Sequence, residues 1–484
     1  MYDVAVIGAG VVGASTAREL SRFSLSVVVI EKEHDAAMGA SRANSGSVHA
    51  GYDAKPGTKK ALFNSMGVWM FEQLSSELDF PFRRNGSIVI ATDEEGTARL
   101  QKLKEQGIAN GLPLSGLEIL GKDEARKLEP NISQDVVSAL HAADGGIVCP
   151  YEMTIALAEN AAQNGASFML GCKVLSIKKQ NGFFSISTTG GELAARVVVN
   201  AAGVYSDEIN NMLSENKLGL VPRRGEYVLY DKTEGLLVAR TVFQLPTIMG
   251  KGVLVVPTVH GNLLIGPTSL DIEDKDDTAT TREGLETVQK RAALALRRLP
   301  KGNVIASFSG IRAHHPSGDF IIEEADDVPG LINLCGIASP GLTAAPAIGK
   351  WAAIKAAEIL EAAPNESFNP IRRGFKALAS MNSDERKKAI KENPDYGLVI
   401  CRCEHVTKAE IVAALDSPLK VRSLDALKRR TRAGMGRCQG GFCWMRLVGM
   451  VAEECEIDIT EVTKAGEGTN ILIERNKTSL GGPS

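Results

Sequence analysis

Four cysteines crowd one C-terminal stretch, as Cys401-Arg402-Cys403 and, thirty-four intervening residues later, Cys438-Gln439-Gly440-Gly441-Phe442-Cys443. Two paired thiolate sites of this kind can hold a zinc ion or an iron–sulfur cluster. Structural zinc prefers two to four residues between paired cysteines, so the single residue between Cys401 and Cys403 suits it poorly. At the other end of the chain, Gly8-Ala9-Gly10-Val11-Val12-Gly13 follows the apolar run Val4–Ile7 and opens a helical stretch through Leu20. Glu31 stands eighteen residues past Gly13, at the end of Val27–Ile30. In such a strand–turn–helix–strand unit Gly8 permits the tight turn, Gly10 lets backbone approach a pyrophosphate, and Gly13 lets helix and strand pack closely. The helix N-terminus offers free N–H groups to the phosphates, and Glu31 would accept hydrogen bonds from a ribose. NAD and FAD satisfy this motif equally.

The elements that must position these groups alternate in type. Ser87–Ala91, Val197–Asn200 and Leu331–Leu334 read as strands, and Thr154–Asn164 reads as a helix. Tyr227–Tyr230, Val253–Pro257 and Leu263–Gly266 are strand candidates divided by Gly and Pro, which predicts a more antiparallel sheet. The Ala-rich segment Ala344–Ala362 should form a helix closing the first unit. The expected architecture is α/β: a Rossmann-like dinucleotide-binding domain interleaved with a mixed-sheet substrate domain over 1–362, a partly helical linker over 363–396, a small cysteine module over 397–465, and a tail over 466–484 that frays from Asn476. The charged run Asp384–Lys388 in the linker reads as a solvated helix face.

Composition narrows the classes. The 484 residues are 44% hydrophobic and 23% charged, with a formal net charge of −3, which excludes disorder and gives no global case for nucleic acid. The sequence leads one to expect neither a membrane span nor a signal peptide, so the expected location is the cytoplasm, with any membrane contact made through a partner. In a reducing compartment crowded cysteines point to metal, and the scattered Cys149, Cys172, Cys335 and Cys455 read as core or incidental thiols.

Three segments carry a resemblance. Val197-Val198-Val199-Asn200-Ala201-Ala202-Gly203, Gly39-Ala40-Ser41-Arg42-Ala43-Asn44-Ser45-Gly46 and Gly336-Ile337-Ala338-Ser339-Pro340-Gly341-Leu342-Thr343 resemble, in that family's order, the flavoproteins of the D-amino-acid oxidase and glycerol-3-phosphate dehydrogenase superfamily. The resemblance covers residues 1 to about 360 and implies FAD. It implies cofactor contacts at Ser41, Asn44, Ser45, Gly46, Val174, Ala202, Gly203, Gly310, Gly341, Leu342 and Thr343, besides the glycine loop. A turn opening a helix at Gly341-Leu342-Thr343 would offer backbone N–H groups to a flavin oxygen where negative charge gathers on reduction. The stretch Cys401–Cys443, with Thr431-Arg432-Ala433-Gly434-Met435-Gly436-Arg437, resembles the bacterioferritin-associated-ferredoxin-like [2Fe-2S] domain, which implies a cluster on the four cysteines. Arg402, Arg429, Arg430, Arg432 and Arg437 surround those thiolates in sequence, and positive charge there would raise the cluster's potential.

The same resemblance suggests the substrate groups. His49, in Ser47-Val48-His49-Ala50-Gly51, stands where members acting on 2-hydroxy acids or glycerol phosphate carry a similar His. An imidazole there can take the proton of a hydroxyl as hydride leaves its carbon. Arg312, in Ser309-Gly310-Ile311-Arg312, matches a Gly-x-Arg turn that faces the substrate anion, and a planar fork fits carboxylate or phosphate. Arg223, or in its place Arg224, matches a second recurring element, whereas the adjacent His314 and His315 read as solvated. Gly51-Tyr52-Asp53-Ala54-Lys55-Pro56-Gly57 is closer to the 2-hydroxyglutarate type than to the glycerol phosphate type, leaving both anions open. The expected function is an FAD-dependent dehydrogenase of a small anionic alcohol, passing electrons through the cluster to a flavoprotein or quinone-linked acceptor. An amine or amino-acid dehydrogenase and a non-catalytic electron-transfer or assembly subunit remain as alternatives.

Overall fold

The structure is a computed structural model that describes residues 1–245 and 252–474. The chain divides into two compact units, Met1–Lys32 with Ala36–Arg372, and Glu33–Asp35 with the chain from Arg373 onward.

The first unit contains two large sheets. One has eight strands, and its centre is parallel: Tyr2–Ile7 lies between Gly191–Asn200 and Val27–Ile30, with Leu331–Cys335 beyond the former and Ser167–Met169 beyond the latter. These central strands are runs of Val, Ile and Ala buried on both faces, as a parallel sheet covered by helices requires. The helix Val11–Leu20 packs on it together with Gly341–Leu360. The Ala-rich composition of the latter helix has a steric cause: a Cβ on Gly349 would stand 2.6 Å from the carbonyl carbon of Ser15, so the two backbones touch. This helix starts three residues before the expected Ala344, because Pro340 caps it at Gly341.

The second sheet has nine strands and is mostly antiparallel, pairing Val221–Tyr230 with both Leu263–Gly266 and Val304–His314. Ser87–Ala91 joins it through the parallel partner Thr241–Gln244. The sheets draw alternately on the chain, so the interleaved α/β reading holds.

The expected linker over 363–396 is not a separate element. Residues 364–372 belong to the first unit, where Asn365 N–H bonds Arg22 O at 2.8 Å and Arg372 pairs with the buried Glu159 at 2.7 Å. From Arg373 the chain belongs to the second unit, and the run Asp384–Lys388 lies exposed on the helix Ser383–Glu392, capped by Asn382. Scattered Pro and charge suggested a linker because neither reveals a buried carboxylate distant in sequence. Residues 466–474 fold back through Lys464 N–H to Thr469 O, and the expected frayed end from Asn476 lies outside the described residues. Among the described residues no helix is long and apolar enough to cross a membrane.

Candidate functional site

The glycine loop is built by close backbone packing. Gly8 has φ +104°, and a Cβ there would lie 2.5 Å from Ala201 O; one on Gly13 would lie 1.9 Å from Gly8 O. A Cβ on Gly10 would meet only Ser41 Oγ, at 3.3 Å, so this glycine faces open space where a ligand can approach. The N-cap of the helix Val11–Leu20 is Gly10, which has no side chain to cap it, and its first turn holds no acidic residue, which suits a diphosphate. Glu31 Oε2 accepts the Ala9 N–H at 2.6 Å, which holds the carboxylate at the mouth of the loop. Ala202 and Gly203 lead from the neighbouring strand into a short turn, Gly203 at φ +60°. Val174 begins the strand Val174–Gln180 and is buried in the same core cluster as Ile7 and Ile30.

The loop 39–46 is shaped from within. Asn44 accepts the Gly46 N–H at 2.8 Å and donates to Ala40 O and Ser41 O at 3.0 and 3.2 Å, while Ser41 Oγ accepts the Val11 N–H at 2.8 Å. Ser45 Oγ lies 3.2 Å from Ser47 Oγ. Gly46 has φ +66° and sits against Val148 O. Gly310 sits against Ala43, whose carbonyl oxygen would be 2.0 Å from a Cβ. Both glycines thus allow backbone-to-backbone contact at the edge of the loop. Substituting Gly310→Ala should push the loop away at a cost of about 1–3 kcal/mol and lower the bound flavin, read as the ratio of 450 to 280 nm absorbance in purified protein. A full complement of flavin would show that this contact does not shape the cofactor site.

Gly341 opens the helix Gly341–Leu360, with Leu342 half-buried beside it. Thr343 Oγ1 accepts the backbone N–H of His49 at 2.9 Å, and Asn64 Nδ2 donates to the His49 carbonyl at 3.3 Å. The His49 ring is thereby placed with Nε2 3.4 Å from Ser339 Oγ and its centroid 5.7 Å from that of Phe243.

Strand register settles which arginines meet. Arg223 stands opposite Arg312, and Gly225 opposite Gly310, on the antiparallel pair Val221–Tyr230 and Val304–His314. Arg224 points to the other face, where it is buried with Asp277 and Glu226. Arg312 Nη2 donates to Thr268 O at 2.8 Å and lies over Gly225. Its Nε is buried with no hydrogen-bond partner among the described residues. Arg223 holds Asp271 through Nε at 2.5 Å and Nη2 at 3.0 Å, and that bond keeps the carboxyl of Asp271 below its usual range.

Burial lowers the proton affinity of Arg312, and repulsion from Arg223 adds to it. Burial also lowers that of His314, with Arg223, Lys60 and Arg312 all acting in the same direction. His314 is therefore not the solvated residue expected: it is half-buried, and burial together with the nearby cations favours its neutral form. A desolvated guanidinium with an unmatched donor, opposite a second arginine, has the chemistry to hold an anion. Sequence reasoning overlooked Ser339, Thr268, Asp271 and Phe243. Ser339 lay within a quoted motif, whereas the other three carry no local signal.

In the second unit Cys401 ends the strand Val399–Cys401, and Cys443 caps the helix Trp444–Glu454. Cys403 Sγ lies 3.5 Å from Cys438 Sγ, and Cys401 is hydrogen-bonded to Cys443, so all four thiols converge in two pairs. The Cys443 hydrogen bond, helped by the N–H groups of Gly434, Glu404 and Cys403, holds the Cys401 thiol down to about 6. At Cys438 burial opposes ionisation, but the Cys403 thiol and the N–H groups of Gly440 and Phe442 outweigh it. Gly436 packs on Cys403, where a Cβ would come within 2.3 Å of the Cys403 Cβ. Sulfurs ringed by backbone donors fit an iron–sulfur cluster, whose thiolates need that hydrogen bonding.

The arginines differ from expectation. Arg429 and Arg430 are buried on Asp35, at 2.6 and 2.9 Å, and Arg432 pairs with Glu404 at 2.8 Å. Their charges are largely neutralised, leaving Arg402 and Arg437 as the exposed cations of that set.

Residues 3–354 match the model of the FAD dependent oxidoreductase family, well over half of the chain. The chain belongs to that family. Residues 399–453 of the oxidoreductase match the BFD-like [2Fe-2S] binding domain. It is 47% identical to the glycerol 3-phosphate dehydrogenase of Caloramator mitchellensis, across 99% of this chain and 100% of that one. It is 31% identical to the L-2-hydroxyglutarate dehydrogenase of Indibacter alkaliphilus, across 51% of this chain and 61% of that one. Among solved structures it resembles the dithionite-reduced L-alpha-glycerophosphate oxidase of Mycoplasma pneumoniae with FAD bound. The TM-score is 0.73 and the identity 33%, covering 77% of this chain and 98% of that one. The oxidoreductase therefore uses FAD and adds a [2Fe-2S] domain to the catalytic unit.

Proposed function

We propose that the oxidoreductase oxidises the secondary alcohol of sn-glycerol 3-phosphate and delivers the electrons through its [2Fe-2S] cluster to a separate acceptor protein. The observation that supports this reading above others is Arg312, whose buried Nε has no hydrogen-bond partner among the described residues and which stands opposite Arg223 on the neighbouring strand. Its free N–H groups can take two oxygens of a phosphate or carboxylate, while Thr268 O holds the fork in one orientation. Full-length similarity to a glycerol 3-phosphate dehydrogenase, cysteine module included, favours the phosphate.

Bound FAD supplies the two-electron acceptor for the hydride leaving the alcohol carbon. His49 accepts the hydroxyl proton at its imidazole, in a position held on both sides of the backbone by Thr343 and Asn64. Gly8, Gly10, Gly13 and Glu31 hold the diphosphate and ribose, and the loop 41–46 with Gly341–Thr343 holds the ring. Tyr52, part of the segment that resembled the 2-hydroxyglutarate type, buries its hydroxyl on Ser87 and leaves anion binding to the arginines.

Anaerobic mixing with sn-glycerol 3-phosphate, L-2-hydroxyglutarate, glycine and L-proline tests this. Glycerol 3-phosphate should bleach the flavin fastest, and His49→Gln should slow that bleaching by about 10²–10⁴-fold. Faster bleaching by the hydroxy acid would reassign the anion. Faster bleaching by an amine, or a loss of only a few fold in the variant, would overturn the alcohol reading.

A further inference from the structure

The cluster site opens to solvent on one side. Cys401 and Cys443 are buried, whereas Cys403 and Cys438 are half-buried. On the residues next to these ligands in the chain the protein exposes a face of apolar and cationic side chains: Phe442 is 88% and Met445 62% exposed, and Arg402 and Arg446 are exposed as well. Phe442 stands in the turn just before the helix Trp444–Glu454, and Met445 and Arg446 lie in that helix's first turn, all within three residues of the ligand Cys443. The far end of that helix carries the exposed Glu453 and Glu454, and the exposed Glu456 and Asp458 follow it. Charge is thus segregated along the helix, with cations and large apolar side chains at the cluster and carboxylates away from it.

We propose that this face docks an electron-acceptor protein whose own redox centre lies beneath a rim of carboxylates. The inference rests on the reading that electrons leave through the cluster. An exposed Phe and Met beside half-open ligands give a small apolar anchor, and surrounding cations steer and orient a partner of opposite sign. Each substrate supplies two electrons, which pass as two one-electron transfers. In each the partner gains one electron, the cluster returns to its oxidised form, and no proton moves at this face.

The full-length enzyme carrying both cofactors is tested with two acceptors: the soluble haem domain of cytochrome b5, whose haem edge is ringed by carboxylates, and cytochrome c, ringed by lysines. Enzyme reduced with dithionite and freed of excess reductant is mixed with each in stopped flow, so the measurement does not depend on the substrate assignment. Electron transfer to cytochrome b5 should be the faster and should fall about tenfold from low to high salt. Phe442→Ser and Arg446→Glu should each slow it at least about fivefold, leaving the cluster's EPR spectrum and dichlorophenolindophenol reduction by glycerol 3-phosphate unchanged. Faster transfer to cytochrome c, or variants that transfer as fast as the parent, would overturn the docking face. Absence of substrate bleaching with normal dithionite-driven transfer would overturn the substrate reading alone.

Discussion

Arg312→Ala should lower kcat/KM for glycerol 3-phosphate by about a thousandfold, equivalent to about 4 kcal/mol, while FAD content stays at the parent level. The size follows from where the side chain sits. Its guanidinium is desolvated, donates to a single carbonyl, and presents an unmatched Nε. An anion there trades water for charge-assisted hydrogen bonds in a region of low dielectric, where each is stronger than at a surface. Arg223 cannot substitute, because Asp271 occupies its fork. Arg312→Lys keeps the charge but not the planar pair of donors, and should recover only part of the loss. Flavin reduction measured against substrate concentration separates weaker binding from slower chemistry. A loss below about threefold in the Ala variant would remove Arg312 from the anion site.

Replacing any of the four clustered cysteines by Ser should abolish the [2Fe-2S] signal and turnover with protein acceptors, yet leave flavin reduction by substrate within about twofold. The second unit should suffer most from Cys401→Ser or Cys443→Ser. Both residues lie in its apolar core, next to Ile411, Leu427 and Val448, and without iron the buried hydroxyl loses the partner for which the site is arranged. Cys403→Ser acts at the half-open edge and should lose the cluster with a smaller drop in thermal stability. Iron analysis, EPR after reduction, and a thermal scan of each variant check the three statements. A variant that keeps two irons per chain would show that its cysteine is not a ligand.

Both expectations begin in the sequence, but they reach the structure by different routes. The four cysteines and the glycine loop could be read locally. Their chemistry depends on residues a few positions apart, so spacing alone constrains what they can hold. The same is true of the parallel strands, whose unbroken Val and Ile runs leave no polar face for solvent. The helix at Gly341–Leu360 was legible for its alanines, although its start was displaced by the proline cap.

Charges were less legible. Arg402, Arg429, Arg430, Arg432 and Arg437 look alike in the sequence, but Asp35 and Glu404 neutralise three of them. Asp35 is almost four hundred residues away, and nothing near Arg429 announces it. His314 likewise is held toward its neutral form by burial and by three cations, two of which, Arg223 and Lys60, come from other segments. The choice between Arg223 and Arg224 turned on strand parity: successive side chains point to opposite faces, and only pairing with Val304–His314 says which face holds Arg312.

By itself, then, the chain's order of residues determined the dinucleotide-type glycine loop, the two kinds of sheet and the crowding of four thiols, since each is encoded in short-range spacing or in a run of one residue class, while FAD and the [2Fe-2S] cluster followed from resemblance to a family. Only the folded arrangement decided which arginine is left with an unmatched donor, where His49 is anchored, and which cations remain exposed beside the cluster. Those outcomes depend on partners brought together by register and packing over hundreds of residues, and a charge has no assignable role until its neighbours in space are known.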